Sequence, residues 1–137
     1  MRLYGVTVAT WDDVSRLALE LPEVEEITSR GGQLEWKVRG KAVAWERPLR
    51  KRDLEELGDN APEGPILGAR TDGEEEKLAL VQEAPDVFFT TSHFNGYPAV
   101  LVRLDEIGMT ALTELIIGAW LVQAPKTLVK QYQAGAS

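Results

Sequence analysis

The sequence predicts one α+β domain: a two-layer, largely antiparallel sheet of five or six strands with helices packed on one face. Three observations carry that prediction. The β-rich runs follow one another through short turn signals, so they pair as hairpins and not through long crossovers. Segments with apolar residues at helical spacing lie before, between and after them. The chain of 137 residues is 44% hydrophobic and 27% charged, which suits a single folded domain and not a disordered chain.

In order, Thr10 and Asp13 form a capping-box pattern that opens a helix carrying Trp11, Val14, Leu17, Ala18 and Leu21 on one stripe. Pro22 ends it. Residues 24–28 read as a strand and 29–32 as a turn. Leu34, Trp36 and Val38 then alternate with polar residues, and Arg39-Gly40 turns the chain into a strand over 41–46. A two-residue turn sets Trp36 opposite Val43 and Leu34 opposite Trp45, on one apolar face. Arginine suits a left-handed turn position poorly, so a longer loop stays open. Residues 51–57 are a short helix stopped by Gly58, and 59–65 a loop too short to divide two domains. A strand over 66–70 leads to a helix ending near Ala84, with Thr71 and Glu74 as its capping box and Glu74, Glu75 and Glu76 at its positive end. The last long helix spans 111–124. Residues 1–9 read as an N-terminal extension of the single domain 1–137, and 131–137 as a flexible tail.

The stretch 86–104 organises the rest. Two β-runs, 87–94 and 97–104, flank Asn95-Gly96, a strong short-range hairpin signal because a type I′ turn needs positive φ at both central residues. That register sets Phe94 opposite Tyr97, Phe89 opposite Val102 and Val87 opposite Leu104. Alternation then gives a core face of Val87, Phe89, Thr91, Val100, Val102 and Leu104, and a mixed face of Phe88, Thr90, Ser92, Phe94, Tyr97, Leu101 and Arg103.

Composition narrows the chemistry. With no cysteine there is no disulfide frame, thiol nucleophile or sulfur-based zinc site. His93 is the only histidine and lacks a clear carboxylate neighbour, so no metal site is expected. No nucleotide loop, cofactor motif or catalytic constellation stands out, and a non-enzymatic role is expected. The longest apolar run, 115–122, is far short of the roughly 20 residues a membrane helix needs. The start of the chain does not look like a secretory signal, so a cytoplasmic location is expected. A net charge of −7 opposes a generic grip on nucleic acid or anionic lipid.

Several segments resemble a known family. They are the Trp11-Asp-Asp-Val start, His93-Phe-Asn-Gly-Tyr-Pro-Ala-Val-Leu-Val-Arg-Leu104, and Ala119-Trp120 with Ala124-Pro125-Lys126. Their order and spacing are similar to the MmcQ/YjbR family over about residues 10–128. Trp45-Glu-Arg-Pro-Leu-Arg-Lys-Arg-Asp53 and Gly64-Pro-Ile-Leu-Gly68 resemble its actinobacterial-type branch. The resemblance implies an α+β fold like that of secretion chaperones. It also implies the label of a DNA-binding protein, attached because the fold is similar to a double-wing DNA-binding domain, and it brings no catalytic residues. This chain has Ser92 where many members have proline and Asn95 where many have aspartate.

Three surfaces remain as candidates. Lys37, Arg39, Lys41, Arg47, Arg50, Lys51 and Arg52 are seven of the fifteen Lys and Arg, with Glu46 the only acid among positions 37–52. A local basic segment can bind DNA phosphates on an acidic protein, but the return strand places Arg47 about 20 Å from the hairpin tip. The alternative is a protein- or small-ligand-binding platform of His93, Phe94, Tyr97 and Arg103. Third, Ile117 and Leu121 make the last long helix apolar beyond its inward stripe, so cover is expected from residues 128–132 or from a two-fold partner in a homodimer.

Overall fold

Six antiparallel strands form one open sheet in the order β1-β2-β3-β4-β6-β5. A computed structural model describes residues 8–136; residues 1–7 of the expected N-terminal extension lie outside them. The strands are β1 (Val24–Thr28), β2 (Leu34–Val38), β3 (Lys41–Glu46), β4 (Ile66–Arg70), β5 (Phe88–Phe89) and β6 (Ala99–Arg103). The helices are α1 (Trp11–Leu19), α2 (Lys51–Leu57), α3 (Gly73–Glu83), α4 (Met109–Gln123) and α5 (Lys126–Ala136). The expected α+β class, sheet pattern and strand number hold.

Helix α1 starts where the sequence signals: Asp13 Oδ2 accepts the Thr10 N–H at 2.9 Å, and Thr10 Oγ1 accepts the Asp13 N–H at 3.3 Å. The capping box expected for α3 does not form, because the Thr71 hydroxyl donates to the Gly73 carbonyl at 2.9 Å instead. The main core lies between the sheet and α1 and α4. Trp36 and Trp120 are fully buried there, and each meets the requirement that a buried indole N–H find an acceptor. Trp36 donates to Glu26 Oε1 at 2.8 Å and Trp120 to the Pro22 carbonyl at 3.0 Å. Residues 126–136 form α5, which takes in residues 131–136 of the expected tail; its Leu128 joins the core and Tyr132 packs edge-on against Trp120, ring centroids 4.9 Å apart.

A smaller core covers the opposite face of the sheet. Ile66, Phe89, Phe94, Ala99 and Leu101 form it, with Trp45, Leu49 and Leu57 packed alongside. Two register findings create this second core, and both depart from the sequence expectation.

First, Arg39-Gly40 does make a two-residue turn, with φ +50° and +81° and Val38 paired to Lys41. The register then slips between Trp36 and Lys37, so that Trp36 faces Ala44 and Glu35 faces Trp45. Because side chains alternate, one extra residue sends everything beyond it to the other face. Trp45 therefore leaves the face of Trp36 and lies across Gly68, where an added Cβ would collide with its indole ring.

Second, 87–104 is not a tight I′ hairpin. β5 has only two residues, paired Phe88 to Val102 and Phe89 to Leu101, one step from the expected register. Phe88 thus joins the helix-side core, and Phe89 and Leu101 the second one. The connection contains a 3-10 turn at Ser92–Phe94, then Asn95 at φ −58°, ψ 127° and Gly96 at φ +78°. With the Tyr97 N–H bonded to the Phe94 carbonyl at 3.0 Å, this is a type II turn, which needs positive φ at its third residue only. Asn-Gly signalled a turn correctly but not its type.

The contact between Trp45 and Gly68 is directly testable. Gly68→Ala should destabilise the fold by about 1–3 kcal/mol in chemical denaturation, as overpacking does. Trp45→Ala should relieve most of that cost in a double-mutant cycle; additive losses would show that the two residues do not meet.

Candidate functional site

The departure of Trp45 from the main core leaves a groove of about 540 Å³ on the second face of the sheet. Glu35, Trp45 and Glu46 contribute from the strands. The segment 47–50 contributes from the β3–α2 connection, and His93, Phe94 and Tyr97 from the β5–β6 connection. Both connecting segments are fixed by charged side chains that have been withdrawn from water.

Arg47 holds the first. Its side chain is 8% exposed, and its guanidinium donates to Asp53 Oδ2 at 3.1 Å, donates to the Pro48 carbonyl, and lies 5.3 Å from the centre of the Phe94 ring. Asp53 Oδ2 also accepts the Arg50 N–H at 2.9 Å, which caps the start of α2. Burial pushes the Asp53 carboxyl up, but the Arg50 N–H and the charge and hydrogen bond of Arg47 outweigh it, leaving the group below its ordinary value of 3.8.

Lys77 holds the second. It is 1% exposed, and its ammonium donates to the Phe94 carbonyl at 2.6 Å and the Tyr97 carbonyl at 3.0 Å, with Glu74 Oε1 at 2.9 Å. The two carbonyls belong to the first and last residues of the type II turn, so the lysine clamps both of its ends. On the outside, Glu56 of α2 accepts from the Ser92 N–H at 2.9 Å and the Ser92 hydroxyl at 2.6 Å. A proline at 92 would have no N–H to offer, so serine here ties the two groove segments to each other.

What these anchors present to solvent is an aromatic edge with a cation near it. Tyr97 is 44% exposed. His93 is exposed and sits edge-on to Phe94 at 5.0 Å between ring centroids. Arg50 is exposed, lines the groove, and has no carboxylate within ion-pairing distance among the described residues. Such a surface can stack a flat ring and neutralise an anionic group. Among the described residues, no group of three or more His, Cys, Asp or Glu could hold a metal ion.

The family model described as YjbR matches residues 19–122. The chain belongs to the YjbR family. It is 50% identical over 132 residues to uncharacterized proteins of Mycobacterium tuberculosis and Mycobacterium bovis, covering 94% of this chain and 99% of each relative. Its fold is similar to the crystal structure of a Deinococcus radiodurans protein with a DUF419 domain, at a TM-score of 0.63 and 24% identity, over 84% of this chain and 78% of that one. No helix of this YjbR chain is long and apolar enough to cross a membrane, among the described residues.

The seven basic residues singled out in the sequence do not form one uniform patch. Arg39 makes a two-pronged pair with Glu23, at 2.6 and 3.0 Å; Lys37 lies 3.9 Å from Glu35; Arg47 is buried against Asp53. Lys41, Arg50, Lys51 and Arg52 are exposed. Of the platform residues, His93 and Tyr97 line the groove in the open, whereas Phe94 is 6% exposed and serves as its inner wall. Arg103 stands apart from them. It donates to the carbonyls of Pro85 and Asn60 and lies over the Phe89 ring at 4.5 Å, while Arg70 is the cation over Tyr97, at 5.5 Å. Ile117 is half-buried and Leu121 is 36% exposed beside α5.

Lys77 and Trp45 are site residues beyond those expected from the sequence. Lys77 had a signal: it stands three and four residues before Leu80 and Val81, on the stripe that α3 buries. The displacement of Trp45 had none, since Ala42-Val43-Ala44 fits either register.

The Arg47–Asp53 pair sets a pH dependence. A depressed carboxyl stabilises the fold fully above its unfolded value, and that contribution disappears as pH falls through the folded one. Stability of the native chain should therefore fall more steeply below pH 3.8 than that of Asp53→Asn. Arg47→Ala, which strands the carboxylate, should cost about 3 kcal/mol at neutral pH. Parallel acid curves for the native chain and Asp53→Asn would refute the assignment.

Proposed function

We propose that this YjbR chain is a non-enzymatic binding module whose groove takes a small, flat, anionic ligand. The ring would stack against Tyr97 and His93, and Arg50 would meet the negative group. One observation carries the reading: both segments that frame the groove are fixed by buried charges, Arg47 with Asp53 and Lys77 with the turn carbonyls. Apolar residues of similar volume fill a core as well or better. Buried charges converging on one cleft are a feature of sites where geometry has to be held. The volume of about 540 Å³ is that of a small-molecule site.

The proposal favours this groove over duplex DNA as the ligand. A phosphate-binding surface needs several unpaired cations in one array, and Lys37, Arg39 and Arg47 of the basic segment have carboxylate partners. Duplex affinity would therefore be weak even at low salt.

The test is a panel of aromatic carboxylates and nucleoside monophosphates screened by amide NMR against the whole chain. Shifts should cluster at 45–50 and 93–97. Tyr97→Ala and Arg50→Ala should each weaken the best binder by about tenfold, and Lys77→Met should weaken it without any contact to the ligand. Shifts elsewhere, or a best binder indifferent to Tyr97 and Arg50, would sink the proposal. Duplex DNA that outcompetes the panel with a steep salt dependence would replace it.

A further inference from the structure

A second surface lies between the end of α4 and α5. Its floor is apolar, with Leu121, Val122 and Val129, and its rim carries Lys41, Lys126 and Lys130. The hollow measures about 570 Å³. Gln123 pins this end of α4 to the sheet by donating to the Ala42 carbonyl at 2.9 Å, and the Trp120–Tyr132 contact fixes α5 beside it. The surface is thus preformed.

We propose that this hollow docks an amphipathic helix of another protein, with apolar residues on one stripe and acidic residues on its flanks. Charge argues for that occupant. The chain carries −7 overall, yet three lysines and no acid border this hollow. None of the three has a carboxylate within ion-pairing distance among the described residues. An apolar stripe laid into a groove between two helices is an established mode of helix recognition, and flanking carboxylates would then meet the lysines. A second copy fits less well, because a two-fold contact centred on this hollow would set lysine against lysine.

The experiment uses the whole chain and a fluorescein-labelled synthetic helix of about 16 residues, with leucines on one stripe and glutamates on both flanks. Its twin has lysine at every glutamate. Anisotropy should show saturable binding of the acidic peptide, at least about tenfold tighter than the twin and weaker at high salt. Leu121→Asp should weaken it about tenfold, and so should Lys126→Glu with Lys130→Glu. These positions are exposed, so the variants should fold, which circular dichroism checks; the lysine pair keeps the test alive if Leu121→Asp does not. Equal binding of both peptides, no saturable binding, or binding indifferent to these changes would overturn the proposal. So would a dimer in sedimentation that Leu121→Asp splits, since a second copy would then be the occupant.

Discussion

A charge withdrawn from water has to find its partners inside the protein, and this fold does so twice around a single groove. Lys77 exchanges its hydration shell for two turn carbonyls and a carboxylate. Arg47 exchanges its own for Asp53, a backbone carbonyl and an aromatic face. Each arrangement constrains direction as well as distance. The type II turn presents Phe94 inward and Tyr97 outward, and the carbonyls of both these end residues accept from the lysine. One carboxylate oxygen of Asp53 serves both Arg47 and the Arg50 N–H at the start of helix α2. The aromatic ring of Phe94 lies between the two systems, in contact with Arg47 and carrying one of the carbonyls that Lys77 holds.

The groove exists because the sheet has two covered faces of unequal depth. The face toward α1 and α4 is a full core built on Trp36 and Trp120. The other is covered only by short elements, α2 and the turn, and these cannot close over it completely. The slip between β2 and β3 supplies the tryptophan that forms part of the floor, and Gly68 supplies the space in which that indole lies. A bulge is a local event in the backbone, but here it decides which face receives the largest side chain of β3.

Much of this was legible in the residues. Thr10 with Asp13, Gly58 after α2, and the alternation of Leu34, Trp36 and Val38 each signal a local structure that forms. The antiparallel order followed from short connections. What escaped was everything set by a partner distant in sequence. Asn95-Gly96 marks a turn, but the residues on either side of it are held by Lys77, seventeen residues before Phe94 and twenty before Tyr97. Val87–Phe89 alternates plausibly in either register, and the packing of Phe88 against the helix layer settles which one is adopted. Arg47 reads as one more cation in a basic run until Asp53, six residues on, folds back onto it. Arg103, aligned on paper with Tyr97, is drawn instead to the carbonyls of Pro85 and Asn60.

If the buried charges are kept for the shape of the groove and not for stability, the two properties should separate. Arg47→Met combined with Asp53→Asn removes the ion pair while leaving a side chain that can still cap α2. The measurement is the unfolding free energy of this double variant beside its affinity for the tightest groove ligand. The account predicts stability within about 1 kcal/mol of the native chain and a large loss of ligand affinity. Stability lowered by several kcal/mol with affinity unchanged would contradict it, because the pair would then be serving the fold alone.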